Sequence, residues 1–159
     1  MTVFWSIAGV TLVLDRVAKL LAQQLMSPGE RMIVLRGVLE LRFTYNTGMA
    51  LGILSGHLVA GILLPLLAMA AGVFILRKFK LSRFVLIGVG LIVGGFLGNF
   101  ADRILFGSVV DMIYFPWLPY FICNPADIAI TFGAAMLGFS LLFRAGDWQE
   151  KAKEAADDK

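Results

Sequence analysis

A single cysteine and a single histidine leave this chain few thiol or metal chemistries. Cys123 alone closes no intrachain disulfide and builds no multi-cysteine metal site. His57 alone excludes a zinc centre assembled from several imidazoles. Cys123 has no histidine in its sequence neighbourhood, and the serines have no general base, so nucleophilic catalysis is poorly provided for. Charge is also scarce: only 16% of the 159 residues are Asp, Glu, Lys or Arg. The run Leu58–Leu76 carries no charge, and the tract at 77–83 carries no acid. So little charge excludes an ordinary soluble domain.

What the sequence has in excess is hydrocarbon. It is 59% hydrophobic, with a mean hydropathy of +0.85. About 20 apolar residues cross a bilayer as a helix, and four runs approach that length, at 3–25, 58–76, 84–101 and 126–143. They are continuous rather than alternating, which favours helices over a barrel. The expectation is one all-α integral membrane domain over residues 1–159 with four transmembrane helices. The first run lacks a basic n-region and is interrupted by Asp15, Arg16 and Lys19, so it reads as a retained helix rather than a signal peptide.

The net charge of +3 does not point to nucleic acid, because the basic residues cluster beside apolar runs. Arg77, Lys78, Lys80 and Arg83 fill the short 77–83 connection, and such loops stay in the cytoplasm. Both termini are then expected in the cytoplasm, with 144–159 a frayed tail. The connection at 26–57 lies outside the membrane. At about thirty residues it is too long to be structureless, and its β-branched and aromatic run reads as two short strands around Gly37. This connection is a candidate lid over a site at the interface. His57 and the apolar run after Gly48 read as interfacial.

Several polar residues sit where hydrocarbon dominates, and an ionisable group at membrane depth marks a site with a partner. Asp15 and Lys19 share one face of the first helix, as a salt bridge, as support for a polar site, or as both. Gly90, Gly94 and Gly98 form a small-residue ridge for close helix packing. Asn99, Asp102 and Arg103 follow it, as interfacial anchors or as a hydrogen-bonded cluster. Asn124 fits an N-cap, Pro125 the first helical position and Asp127 the third, so Asp127 also has a purely structural reading, the capping box. Trp117 and Tyr120 suit the headgroup level.

The strongest pair is Asp111 and Asp127, which a returning loop can bring together on one side of the membrane. Two carboxylates in contact share a proton. The ionised one deprotonates water while the protonated one polarises a carbonyl, which is aspartic-type peptide hydrolysis without a metal or a covalent intermediate. Against this stands a small proton-coupled transporter that uses the same buried carboxylates. The chain shows no inverted repeat with paired broken helices, and its acids gather at one face rather than the midplane. An assembly scaffold built on the glycine ridge leaves both aspartates unexplained.

The motifs in order resemble the lipoprotein signal peptidase family, the bacterial type II signal peptidases, over nearly the whole chain. Asp15 and Lys19 match D-x-x-x-K, Asn46-Thr47-Gly48-Met49-Ala50 matches N-x-G-x-A, and Gly98 to Arg103 matches G-N-x-x-D-R. Val109-Val110-Asp111 matches V-V-D, and Asn124-Pro125-Ala126-Asp127 matches N-x-A-D. The resemblance implies a four-helix inner-membrane aspartic endopeptidase with an extracytoplasmic β-cradle between the first two helices. It implies cleavage of prolipoproteins just before a diacylglyceryl-modified cysteine, no cofactor, and binding of globomycin. Membrane lipids are the expected neighbours and a monomer the expected working form. Asp111 and Asp127 are then catalytic. Asp15, Lys19, Asn46, Gly48, Asn99, Asp102, Arg103, Asn124 and Ala126 support the site or bind substrate. The chain departs from the family's usual residues at Arg16, Ala18, Leu51 and Cys123, which touch the lining of the site and leave the two aspartates in place.

Overall fold

A computed structural model of the chain describes residues 1–47, 58–118 and 121–150. Gly48, the apolar run that follows it, His57, Tyr120 and the end of the tail lie outside the described residues. Helix α1 (Thr2–Leu25) leads into strands β1 (Arg31–Leu35) and β2 (Leu39–Asn46), which turn at Gly37 with φ 76°. Helix α2 (Leu58–Lys78) and strand β3 (Phe79–Leu81) precede helix α3 (Arg83–Phe106). Strands β4 (Val109–Tyr114) and β5 (Ile122–Cys123) then lead to helix α4 (Pro125–Phe143), a 3-10 turn (Ala145–Asp147) and strand β6 (Trp148–Glu150).

The bundle is assembled on α3. Its glycines let two neighbours approach on two faces. A Cβ at Gly94 would lie 2.5 Å from the Ala8 carbonyl oxygen of α1, and one at Gly95 would lie 2.6 Å from the Ala126 carbonyl of α4. The four-residue ridge therefore faces α1, while Gly88 and Gly95 face α4. Helix–helix association in a bilayer gains from such close backbone contact, because lipid supplies no hydrophobic drive between helices. Among the described residues, α3 and α4 are long and apolar enough to cross a membrane by length and composition.

The sheet is larger than the sequence suggested. Its order is β1-β2-β4-β5, antiparallel throughout, so the segment after α3 supplies two strands to the expected pair. Asp111 lies on β4, opposite Thr44 of β2. Arg42 braces this sheet. It bonds Glu40 at 3.0 Å and stacks 3.6 Å from the Tyr114 ring centroid, while Arg31 bonds the same carboxylate at 2.6 Å.

Helix α3 also runs beyond the expected end at Ala101, to Phe106. Asp102 and Arg103 extend it because the acid finds cationic partners inside the fold. Gly107 then takes a left-handed conformation (φ 69°) and donates its N–H to the Arg103 carbonyl at 3.0 Å, which stops the helix and turns the chain into β4. At the other end of the bundle, the start of the expected frayed tail is ordered. Strand β6 pairs with β3, and Asp147 is buried against Ser140.

Candidate active site

Helix α4 begins with a full capping box. The Asn124 side chain accepts the Asp127 N–H at 3.0 Å, and the Asp127 carboxylate accepts the Asn124 N–H at 3.3 Å. The structural reading of Asp127 thus describes a real arrangement. It does not exhaust the carboxylate, because the other oxygen, Oδ1, accepts the Asn99 side-chain amide at 2.8 Å. The cap and the site share one residue.

Asp111 is 2% exposed, and both of its oxygens are held. Asn46 at the end of β2 donates to Oδ2 at 2.8 Å, and Asn124 donates to Oδ1 at 2.6 Å. Asn124 therefore bonds both aspartates, with its amide on Asp111 and its carbonyl on the Asp127 backbone. Burial, followed by the Asp127 charge, pushes the Asp111 carboxyl up to about 7, against the lowering effect of the two asparagine donors. Arg103 lies within electrostatic reach of Asp102, Asp111 and Asp127, and its guanidinium donates to the Asn99 carbonyl at 3.3 Å.

Behind the aspartates lies a buried ionic layer. Lys19 is fully buried and lies 2.8 Å from Asp15 Oδ2 and 2.9 Å from Asp102 Oδ2, and it donates to Asn99 Oδ1 at 2.8 Å. Such an ammonium is tolerable only when its donors are occupied by charge and hydrogen bonds together. Each acid in turn holds backbone from another element. Asp15 Oδ1 accepts the Ala126 N–H at the start of α4 at 3.0 Å, and Asp102 Oδ2 accepts the Val110 N–H of β4 at 3.3 Å. Gly98 leaves room for the Asp15 carboxylate, which a Cβ there would strike.

The structure thus brings Asp15, Lys19, Asn46, Asn99, Asp102, Arg103, Asp111, Asn124, Ala126 and Asp127 together from five elements. Of the expected site residues, only Gly48 falls outside the described part. Arg16 joins them as an ion-pair partner of Asp102, although the sequence marked it only as a departure. The signal was available: α1 has two cations for one acid, so a second acid had to face it from another helix. Cys123 is buried, and burial pushes its thiol up to about 12, so it offers no thiolate at neutral pH. Among the described residues no cluster of His, Cys, Asp and Glu is arranged to hold a metal. The site can therefore offer two carboxylates tied to one asparagine, one of them pushed up toward neutral pH by burial.

Comparison with known proteins agrees over nearly the whole length. The family model for signal peptidase (SPase) II matches residues 7–143. The chain is 36% identical over 128 residues to a lipoprotein signal peptidase of Halothermothrix orenii, covering 80% of this chain and 87% of that relative. It is 34% identical over 148 residues to that of Geobacillus kaustophilus, covering 91% of this chain and 96% of the relative. A solved bacterial membrane enzyme, determined in meso at 2.3 Å, superposes with a TM-score of 0.83 at 29% identity, covering 89% of this chain and 88% of that one. A second such structure, at 1.9 Å, gives 0.81 at 29% identity over 91% and 95% of the two chains.

Proposed function

Because this chain belongs to the signal peptidase II family of proteases, which cleave signal peptides from prolipoproteins, we propose that Asp111 and Asp127 are its catalytic dyad. The transporter alternative has no support from these relatives. The observation that carries the reading is the convergence of two carboxylates from separate elements on one asparagine, Asn124.

In this reading Asp111 keeps the shared proton, and Asp127, among the donors Asn99 and Asn124, is the ionised partner. Asp127 takes a proton from water as the hydroxyl oxygen attacks the scissile carbonyl, and Asp111 gives its proton to the carbonyl oxygen. The C–N bond then breaks as the leaving amine takes the proton held by Asp127, and Asp111 is reprotonated as the carbonyl re-forms. No covalent intermediate is required. The scissile bond precedes a cysteine already carrying diacylglycerol, so the substrate arrives from lipid and the site belongs at the interface.

Four membrane spans follow from the same picture. The charges within α1 have partners inside the fold, which makes a spanning α1 tolerable. The basic tract at 77–83 supports a cytoplasmic β3–β6 end and cytoplasmic termini. The four-stranded sheet is then the extracytoplasmic cradle, with the connection between α1 and α2 acting as its cover. The same reading carries a monomeric enzyme whose site residues also bind globomycin-type inhibitors.

The test is cleavage of a diacylglyceryl-modified prolipoprotein peptide by purified wild type, Asp111→Asn and Asp127→Asn. Each variant is expected to fold and to lose nearly all turnover. An active Asp127→Asn would reduce Asp127 to its capping role.

A further inference from the structure

We propose that Arg16 is a positioning residue, which holds Asp102 against β4 and so fixes the backbone that presents Asp111. The inference rests on Asp111 being catalytic. Asp102 has two carboxylate oxygens, and the fold divides them. Oδ2 takes Lys19 at 2.9 Å and the Val110 N–H at 3.3 Å, while Oδ1 takes the Arg16 guanidinium. Val110 precedes Asp111 in the strand, so the orientation of the Asp102 carboxylate is passed directly to the residue before the catalytic one. Lys19 alone cannot fix that orientation, because it is shared with Asp15 and Asn99.

The guanidinium also lies 6.0 Å from the Phe106 ring centroid. Asp102 and Phe106 are one turn apart on α3, directly before the Gly107 reversal into β4. Arg16 therefore ties α1 to the last turn of α3, where a small rotation would swing β4. Its side chain is 23% exposed while that of Asp102 is fully buried. Removing Arg16 therefore leaves a buried acid short of a partner, whereas a pair exposed on both sides would contribute little.

The charge count reaches the same conclusion. Facing the site are Asp15, Arg16 and Lys19 from α1, Asp102 and Arg103 from α3, Asp111 from β4 and Asp127 from α4, with uncharged Asn46 from β2 and the protonated Cys123 from β5. Four carboxylates stand against three cations. One proton on the aspartate pair balances them, and without Arg16 the set is one cation short.

The experiment measures kcat and KM for wild type, Arg16→Met, Arg16→Lys, Asp102→Asn and the Arg16→Met/Asp102→Asn double variant, with Asp111→Asn in parallel. Arg16→Met should lower kcat roughly tenfold, the size of one moderate coupling between contacting residues, and leave KM unchanged. Arg16→Lys should recover most of that loss, and the double variant should be no slower than Asp102→Asn alone. An unchanged kcat in Arg16→Met, or losses that multiply in the double variant, overturns the proposal. If Arg16→Met does not purify folded, Arg16→Lys takes its place in the cycle, where its smaller loss should vanish in the Asp102→Asn background. An active Asp111→Asn would sink the dyad instead, and the Arg16–Asp102 coupling would still be readable.

Discussion

The Asn124 side-chain amide donates to Asp111 Oδ1 at 2.6 Å, joining the start of α4 to the middle of β4. The same side chain caps α4 through its carbonyl. Helix stability and placement of the acids therefore depend on one residue, which is 0% exposed. Asn124→Ala should cost about 1–2 kcal/mol from the lost cap and lower the melting temperature. Turnover should fall further than that loss of stability explains, because Asp111 and the first turn of α4, which carries Asp127, lose their common tether. Asn124→Ser separates the two effects, since serine restores the cap but cannot reach both acids. Thermal melts beside turnover would show the melting temperature recovering while kcat stays low.

How much of this was legible in the sequence depends on how each residue signals. Asp15 with Lys19, and Asn124 with Asp127, announced themselves by spacing, because helix geometry converts four-residue and three-residue offsets into contacts. The hairpin at Gly37 was legible from its β-branched run and its glycine. Strand β4 was not. Val109 to Met112 are all buried, so the run shows no alternation and reads as a continuation of the apolar segment before it. Strand β5 has two residues, too few for any period. The Arg16–Asp102 pair joins residues 86 positions apart, and no local rule reaches that far. The ordered start of the tail was hidden by its mixed charges, which resemble a solvated end until Asp147 is seen to turn inward.

That end of the bundle offers a contrast to the site. Ser140 Oγ donates to Asp147 Oδ2 at 2.8 Å, and the Trp148 indole donates to Ser140 Oγ at 3.0 Å. Arg144 also pairs with Asp147, and the Ser82 N–H donates to the Asp147 carbonyl at 3.2 Å. Burial raises the Asp147 carboxyl, but the donors Ser140, Ser82 and Arg144 outweigh it and hold the group below its ordinary value. Its stabilising contribution is therefore present above the unfolded value and is lost as pH falls through the depressed folded one. Asp147→Asn should lower the melting temperature at pH 7, and the gap from wild type should close on acidification. Turnover at a temperature where both proteins are folded should be unchanged, because none of these residues touches the aspartate pair. A loss of kcat there would mean that the β3–β6 clasp is coupled to the site.

The Asp111 carboxyl supplies the opposite pH dependence. Its ordinary value is 3.8, and in the fold it is pushed up to about 7, first by burial and then by the charge on Asp127. Between these values the folded protein binds a proton that the unfolded chain releases. This group's contribution to stability therefore falls as pH rises from about 4 to about 7, and is level above that range. On the proposed dyad, activity follows the same proton. If Asp111 must donate to the scissile carbonyl oxygen, kcat should fall roughly tenfold for each pH unit above about 7. The limb belongs to the pair rather than to one acid, so a change at either carboxylate should move it. Asn46→Ala gives the sharpest check. The Asn46 amide donates to Asp111 Oδ2 at 2.8 Å and favours the ionised form, so its loss should move the alkaline limb to higher pH. A pH–rate profile of Asn46→Ala with its limb unmoved, or moved to lower pH, would show that Asp111 is not the group that carries the catalytic proton.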